Sequence, residues 1–175
     1  VDVQSTLLMF DLTGAPSGEI ALPGTGTVGA ISGRQDAPDV WYSFTSPLTP
    51  STVYVFNPSA KNAGSTAFDA AKPPVDTSAF ETKAMFATSK DGTRVPFFVT
   101  AKKNLPLDGN NPTVLYGYGG FSITVLPSYR QDVPAWLERG GVWVTANMRG
   151  GSEYGEAWHK AGMLEKKQNV FDDFI

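Results

Sequence analysis

Thr113-Val114-Leu115-Tyr116-Gly117-Tyr118-Gly119-Gly120-Phe121 is the stretch whose reading decides the fold. Thr113 to Tyr118 is short, apolar and β-branched at its start, which predicts a buried strand, and two glycines then open the chain into a loop. Working outward, Asp132 to Arg139 has helical spacing, and Gly140-Gly141 supplies a helix stop. The apolar run Val142-Trp143-Val144-Thr145-Ala146 predicts a second buried strand, followed by the Gly150 region and a helix over Glu156 to Leu164. Strand, loop, helix, strand, loop, helix is the pattern of an α/β sheet whose later strands run parallel.

Upstream, Phe80 to Ser89 and Arg94 to Lys102 flank Lys90-Asp91-Gly92-Thr93, a hairpin turn signal between two antiparallel strands. From Asn57 to Thr77 the composition shifts to Ala, Ser, Pro, Asp and Lys around Pro73-Pro74, which predicts a linker and a domain boundary. Before it, short β-rich runs at Leu7 to Leu12, Gly18 to Leu22, Thr27 to Ile31, Val40 to Thr45 and Thr52 to Phe56 predict antiparallel sheet. Strands so short and evenly spaced suit a sandwich or one propeller blade. At the other end, Asn169 is expected to cap a helix carrying Asp172 and Asp173 in its first turn. Two central strands and a helix barely begun cannot cover both faces of an α/β sheet, so the chain is expected to be a truncated piece of a larger protein.

Bulk properties narrow the function. In 175 residues, 14 Lys plus Arg stand against 17 Asp plus Glu, a net charge of -3 without a basic run, which argues against nucleic-acid or membrane-surface binding. No apolar stretch approaches the ~20 residues of a membrane span. Zero cysteines exclude disulfides, thiolate metal sites and a cysteine nucleophile, and a single His leaves little for zinc, so no metal and no cofactor is expected.

The Gly117–Phe121 loop leaves a strand at its carboxyl end, where open α/β sheets bind ligands. It lacks the third glycine of a dinucleotide fingerprint and the Lys of a P-loop, so a plain turn and a ligand loop both stand while phosphate is disfavoured. Ser152, in Gly150-Gly151-Ser152-Glu153-Tyr154, resembles a nucleophile elbow but has Tyr154 in place of the last glycine and no strand directly before it. Ser152, His159 and Asp172 are the residue types of a triad, yet their close spacing argues for loop and helix roles instead. Glu153, Glu156, Asp172 and Asp173 read as a solvated face and a helix start.

Tyr116-Gly-Tyr-Gly-Gly-Phe121, then Ala146-Asn-Met-Arg-Gly-Gly-Ser-Glu-Tyr-Gly-Glu156, Trp158-His159, Ala161-Gly162 and Lys167-Gln-Asn-Val-Phe-Asp-Asp-Phe174 together resemble the prolyl oligopeptidases. The likeness extends through Ser89-Lys-Asp-Gly-Thr-Arg-Val-Pro96 and weakly into Tyr42–Ser46. It implies an α/β-hydrolase fold preceded by β-propeller blade strands, with residues 1–73 the end of the propeller and 74–175 the start of a peptidase domain. It also implies a serine-type endopeptidase that cuts short peptides after proline, with the Ser, Asp and His of its triad downstream of Ile175. Tyr118 matches the family's oxyanion-hole tyrosine and Phe121 an aromatic residue of its proline-binding pocket. Ser152 departs from the family, which usually has a third glycine there. The implied partners are proline-containing peptides and the remainder of the chain's own polypeptide, in a full-length monomer that is cytoplasmic or periplasmic, the cytoplasm slightly favoured. The competing readings are a non-catalytic binding module and a dipeptidyl or acylaminoacyl peptidase of the same superfamily.

Overall fold

The computed structural model describes residues 2–60 and 64–175, so the part of the expected linker at 61–63 lies outside the described residues. Among the described residues, ten strands form three sheets. A hairpin of β1 (Leu7–Phe10) and β2 (Pro16–Ile20) precedes an antiparallel meander of β3 (Thr27–Gly33), β4 (Val40–Ser46), β5 (Thr49–Phe56) and β6 (Thr66–Ala70). The third sheet contains β7 (Phe80–Thr88), β8 (Arg94–Lys102), β9 (Thr113–Gly117) and β10 (Val142–Ala146), in the spatial order β7-β8-β10-β9. Three short helices follow its strands: α1 (Asp132–Glu138), α2 (Glu156–Lys160) and α3 (Gln168–Phe174).

In the meander, alternation places Tyr42, Phe44 and Phe56 on one face, packed with Ile20 from β2 and with Leu7, Met9 and Tyr54 around them. Tyr42 and Phe44 are almost wholly buried, and burial of each ring is worth roughly 1.5–3 kcal/mol. The strand β6 corrects the sequence reading, which had only linker there. Its five residues are exposed and include two alanines and an aspartate, so they carry no alternating apolar signal. Pairing with β5 supplies the backbone partners, and Phe68 meets Trp41 edge to face at 4.7 Å.

The third sheet is mixed. β7 and β8 pair antiparallel around the Asp91-Gly92 turn, β8 pairs antiparallel with β10, and β9 pairs parallel with β10. β8 and β10 are the interior strands, and β10 buries Val142, Trp143 and Ala146. Helix α1 buries Val133, Pro134 and Leu137 against Trp143 and Phe80, with the proline in the first turn where its missing N–H costs nothing. Trp136 Nε1 donates to the Val142 carbonyl at 3.0 Å and ties helix to strand.

Meander and mixed sheet touch. Leu48, at the β4–β5 turn, packs on the α1 cluster, Thr27 Oγ1 donates to the Pro127 carbonyl at 2.9 Å, and the Tyr129 N–H donates to Thr45 Oγ1 at 3.1 Å. Among the described residues, no helix is long and apolar enough to cross a membrane.

Two helix bounds differ from expectation. α2 stops at Lys160, because Gly162 lies against the backbone of Arg149 and Gly150, where a helix carrying side chains does not fit. α3 begins at Gln168, and Asn169 does not cap it: its side chain donates to the Ala161 carbonyl at 2.9 Å.

Candidate functional site

Parallel pairing fixes where the site is built. Because β9 and β10 run the same way, with Ala146 opposite Gly117, the loops that leave their carboxyl ends begin side by side. One loop carries Tyr118 to Ser122 and the other Asn147 to Glu153. Their backbones touch without side chains between them. A Cβ at Gly119 would lie 2.7 Å from the Arg149 carbonyl oxygen and 2.2 Å from Val170 Cγ1, one at Gly150 would lie 2.7 Å from the Gly119 oxygen, and one at Gly162 would lie 2.4 Å from Gly150 N. Lys167 Nζ donates to the Gly119 carbonyl from the other side.

Tyr118 is the first residue past β9. It is 41% exposed, and its phenol makes no hydrogen bond to the described residues. It stands between two cavities. One, of about 440 Å³, is lined by Tyr116, Arg130, Trp143 and Pro47 of the meander, with the Arg130 guanidinium 5.2 Å from the centroids of both Tyr116 and Trp143. The other, of about 270 Å³, is bounded by Phe121, Met148, Lys167, Phe171 and Phe174. Phe121 is 84% exposed, and it and Ser122 both have left-handed backbones, with φ of 52° and 57°. Each such residue without glycine's freedom costs about 1–2 kcal/mol, so the loop that presents the Phe121 ring is held under strain.

What holds it is the second loop. The Gly150 carbonyl accepts from the Ser122 N–H at 3.1 Å, and His159 Nδ1 lies 2.7 Å from that carbonyl oxygen and 3.1 Å from the Ser122 nitrogen. Ser152 Oγ donates to the Ser122 carbonyl at 2.7 Å and accepts from Thr124 Oγ1 at 2.7 Å. Asp172 accepts from Gln168 Nε2 at 3.0 Å. The structure thus brings no two of Ser152, His159 and Asp172 into hydrogen-bond contact.

The second loop is itself anchored by a residue that the sequence reading passed over. The Arg149 side chain is 5% exposed and its Nη2 lies 2.6 Å from Asp173 Oδ1, on a side chain that is 0% exposed. Arg149 Nε and backbone N–H both donate to Asp173 Oδ2 at 2.9 Å. On the far side, Nη1 reaches Asp91 Oδ2 at 2.5 Å and Nη2 reaches Ser89 Oγ at 3.3 Å. The Asp173 hydrogen bond, first, and that of Asp91 hold the guanidinium more firmly protonated than a free arginine, and the Arg149 hydrogen bonds keep the Asp91 carboxyl well below the usual range.

The expected solvated acidic face is therefore corrected at two positions. Asp173 is the buried partner of Arg149. Glu153 turns inward, where Oε1 accepts from the Val125 N–H at 3.1 Å and Oε2 has no partner among the described residues. Burial pushes its carboxyl above the ordinary 4.5. Glu156 does stay outside, paired with Lys160 at 3.0 Å. The missed signal was an arginine three residues past a buried strand together with an Asp-Asp pair, two charges that only the fold joins. Among the described residues, no cluster of His, Asp and Glu is arranged to hold a metal.

Comparison with known proteins places this geometry among relatives. Residues 1–67 match the model of the prolyl oligopeptidase N-terminal beta-propeller domain and residues 127–175 that of the prolyl oligopeptidase family. A prolyl endopeptidase of Elizabethkingia miricola is 40% identical over 99% of this chain and 24% of its own length. The prolyl oligopeptidase ophP of Omphalotus olearius is 42% identical over 93% of this chain and 22% of its own. A prolyl endopeptidase of known structure superposes on 99% of the chain, and 25% of its own, with a TM-score of 0.89 at 42% identity. The chain spans about a quarter of the length of the curated relatives it matches.

Proposed function

The chain belongs to the prolyl oligopeptidase family, with propeller strands followed by the start of an α/β-hydrolase domain, and from that premise we propose that it is part of a serine endopeptidase that cleaves peptides after proline. In this reading residues 1–73 close the propeller and 74–175 open the peptidase domain, whose triad is supplied by the remainder of the polypeptide. The substrate is a proline-containing peptide and the full-length enzyme is a monomer.

The observation that carries the reading is the Tyr118 phenol, unpaired at the carboxyl edge of the sheet and opening onto both cavities. As a serine adds to the carbonyl after proline, negative charge gathers on oxygen, and a donor already in place costs no reorganisation. The Tyr118 O–H, with a backbone N–H, takes that role. Phe121 offers an exposed aromatic face to the pyrrolidine ring, whose apolar edge gains by leaving water. Arg149 and the glycine contacts keep Tyr118 at a fixed height above the sheet.

The test is Tyr118→Phe in the full-length protein, assayed on a Pro-amide peptide with active sites counted by an active-serine reagent. The ring and its packing remain, so only one O–H is lost. Loss of one oxyanion donor lowers kcat by roughly 10² to 10³, with KM little changed. A kcat within about threefold of the parent removes Tyr118 from the oxyanion role, and a parent that neither cleaves after proline nor reacts with the serine reagent removes the function.

A further inference from the structure

Two consecutive left-handed residues on an exposed loop do not persist unless the surroundings hold them. At Phe121 and Ser122 the holding contacts can be named. The Ser122 N–H and the Ile123 N–H are bonded to the carbonyls of Gly150 and Gly120, at 3.1 and 3.0 Å. These are backbone contacts that any side chain allows. Two others depend on a side chain: His159 Nδ1 lies 3.1 Å from the Ser122 nitrogen, and the Ser122 carbonyl accepts from the Ser152 hydroxyl at 2.7 Å, which Thr124 Oγ1 at 2.7 Å satisfies and orients. Gly151, next to Ser152, cannot vary, because a Cβ there would lie 2.8 Å from the Ile123 carbonyl oxygen. The two loops are therefore in contact on both sides of this bond, and the carbonyl of the Ser122–Ile123 peptide is held by the Ser152 side chain.

We propose that Ser152 is a positioning residue for selectivity: its hydroxyl holds the Phe121–Ser122 backbone in the form that presents the Phe121 ring to the residue before the scissile bond, and so favours proline over alanine there. The proposal rests on the peptidase reading given above. Without the hydroxyl, Ser122 relaxes toward an ordinary backbone conformation and Phe121 swings with it. Tyr118, fixed separately through Gly119 and Arg149, stays in place. Ring contact with proline is then lost, whereas an alanine substrate, which gains little from an aromatic face, is cleaved as before. The effect falls on the ratio of the two substrates, which general destabilisation would leave unchanged.

The experiment uses the full-length protein and three forms: parent, Ser152→Ala, and Ser152→Ala with Ser122→Asn. Asparagine tolerates the left-handed region better than serine does, so it restores the loop without restoring the hydroxyl. In Ser152→Ala the ratio of kcat/KM for Pro-amide over Ala-amide peptides falls by about threefold to tenfold, the worth of one neutral hydrogen bond, and the double variant regains most of it. Hydrogen exchange at the Ser122 and Ile123 amides, read by mass spectrometry on the resting protein, quickens by a similar factor in Ser152→Ala. A ratio within twofold of the parent, or an equal fall on both substrates, overturns the proposal. Unchanged exchange at those amides overturns it independently of any activity, so that a parent without proline cleavage sinks the peptidase reading and leaves the exchange result to decide the clamp.

Discussion

Asp173→Asn in the full-length protein removes one charge from a pair that the fold has taken out of water. The Asp173 side chain has no exposure and that of Arg149 5%, and four hydrogen bonds from Arg149 reach the Asp173 carboxylate, one of them from the backbone N–H. Asparagine keeps one acceptor oxygen and turns an amide against the donors that the second oxygen served. A buried arginine left short of its counter-charge costs about 3–5 kcal/mol. With a urea m-value near 2 kcal/mol/M, the midpoint of the peptidase-domain transition falls by about 1.5–2.5 M. Asp91→Asn is the internal control. That carboxylate also touches Arg149, but its side chain is 47% exposed, so the shift is a small fraction of the first. Replacing both partners, Arg149→Met with Asp173→Leu, recovers part of the loss because no uncompensated charge remains. A loss below about 1 kcal/mol for Asp173→Asn, or one no larger than that of Asp91→Asn, refutes the claim that this pair anchors the loop.

Two further outcomes concern neighbouring positions. The folded protein holds the Glu153 proton more tightly than the unfolded chain, so wild-type stability declines as pH rises from about 4.5 through the raised folded value. Glu153→Gln, which does not ionise there, gains stability relative to wild type between pH 4 and pH 7; a difference in urea midpoint that is constant over this range contradicts the buried-carboxyl account. Gly119→Ala drives a methyl to within 2.2 Å of Val170 and 2.7 Å of the Arg149 carbonyl, so it costs at least the roughly 1–3 kcal/mol of an overpacked site and lowers kcat by displacing Tyr118. Normal kcat with a normal melting temperature shows that the loops are free to separate.

Legibility in the sequence followed the range of the interactions. The Asp91-Gly92 hairpin, the stop at Gly140 and the buried run of β10 are local signals, and the structure has each where the pattern placed it. The loop of Tyr118 and Phe121 was singled out because it follows a strand directly, while the roles expected of the two residues came from the family resemblance. Strand β6 was not found, since an exposed edge strand needs no apolar alternation, only a neighbour's free backbone. Arg149, Asp173 and Glu153 were misread or missed for a related reason. Their partners lie 24, 28 or 58 residues away along the chain, and a charge that the fold buries looks the same in sequence as one left in water.

The direct backbone contact among Gly119, Gly150 and Gly162 also limits where this protein can change over evolutionary time. A side chain at Gly119 meets the Arg149 carbonyl, one at Gly150 the main chain of Gly119 and Gly162, and one at Gly162 that of Gly150 and Arg149, and main chain cannot turn aside as a side chain can. No single substitution at one position makes room for a second at its neighbour, so a mutational walk through these sites passes through proteins that do not assemble. The course of the two loops is thereby frozen. Variation in what the protein accepts has to enter through side chains that face the cavities, such as Tyr116, Phe121 and Arg130, which border empty space and can be exchanged one at a time.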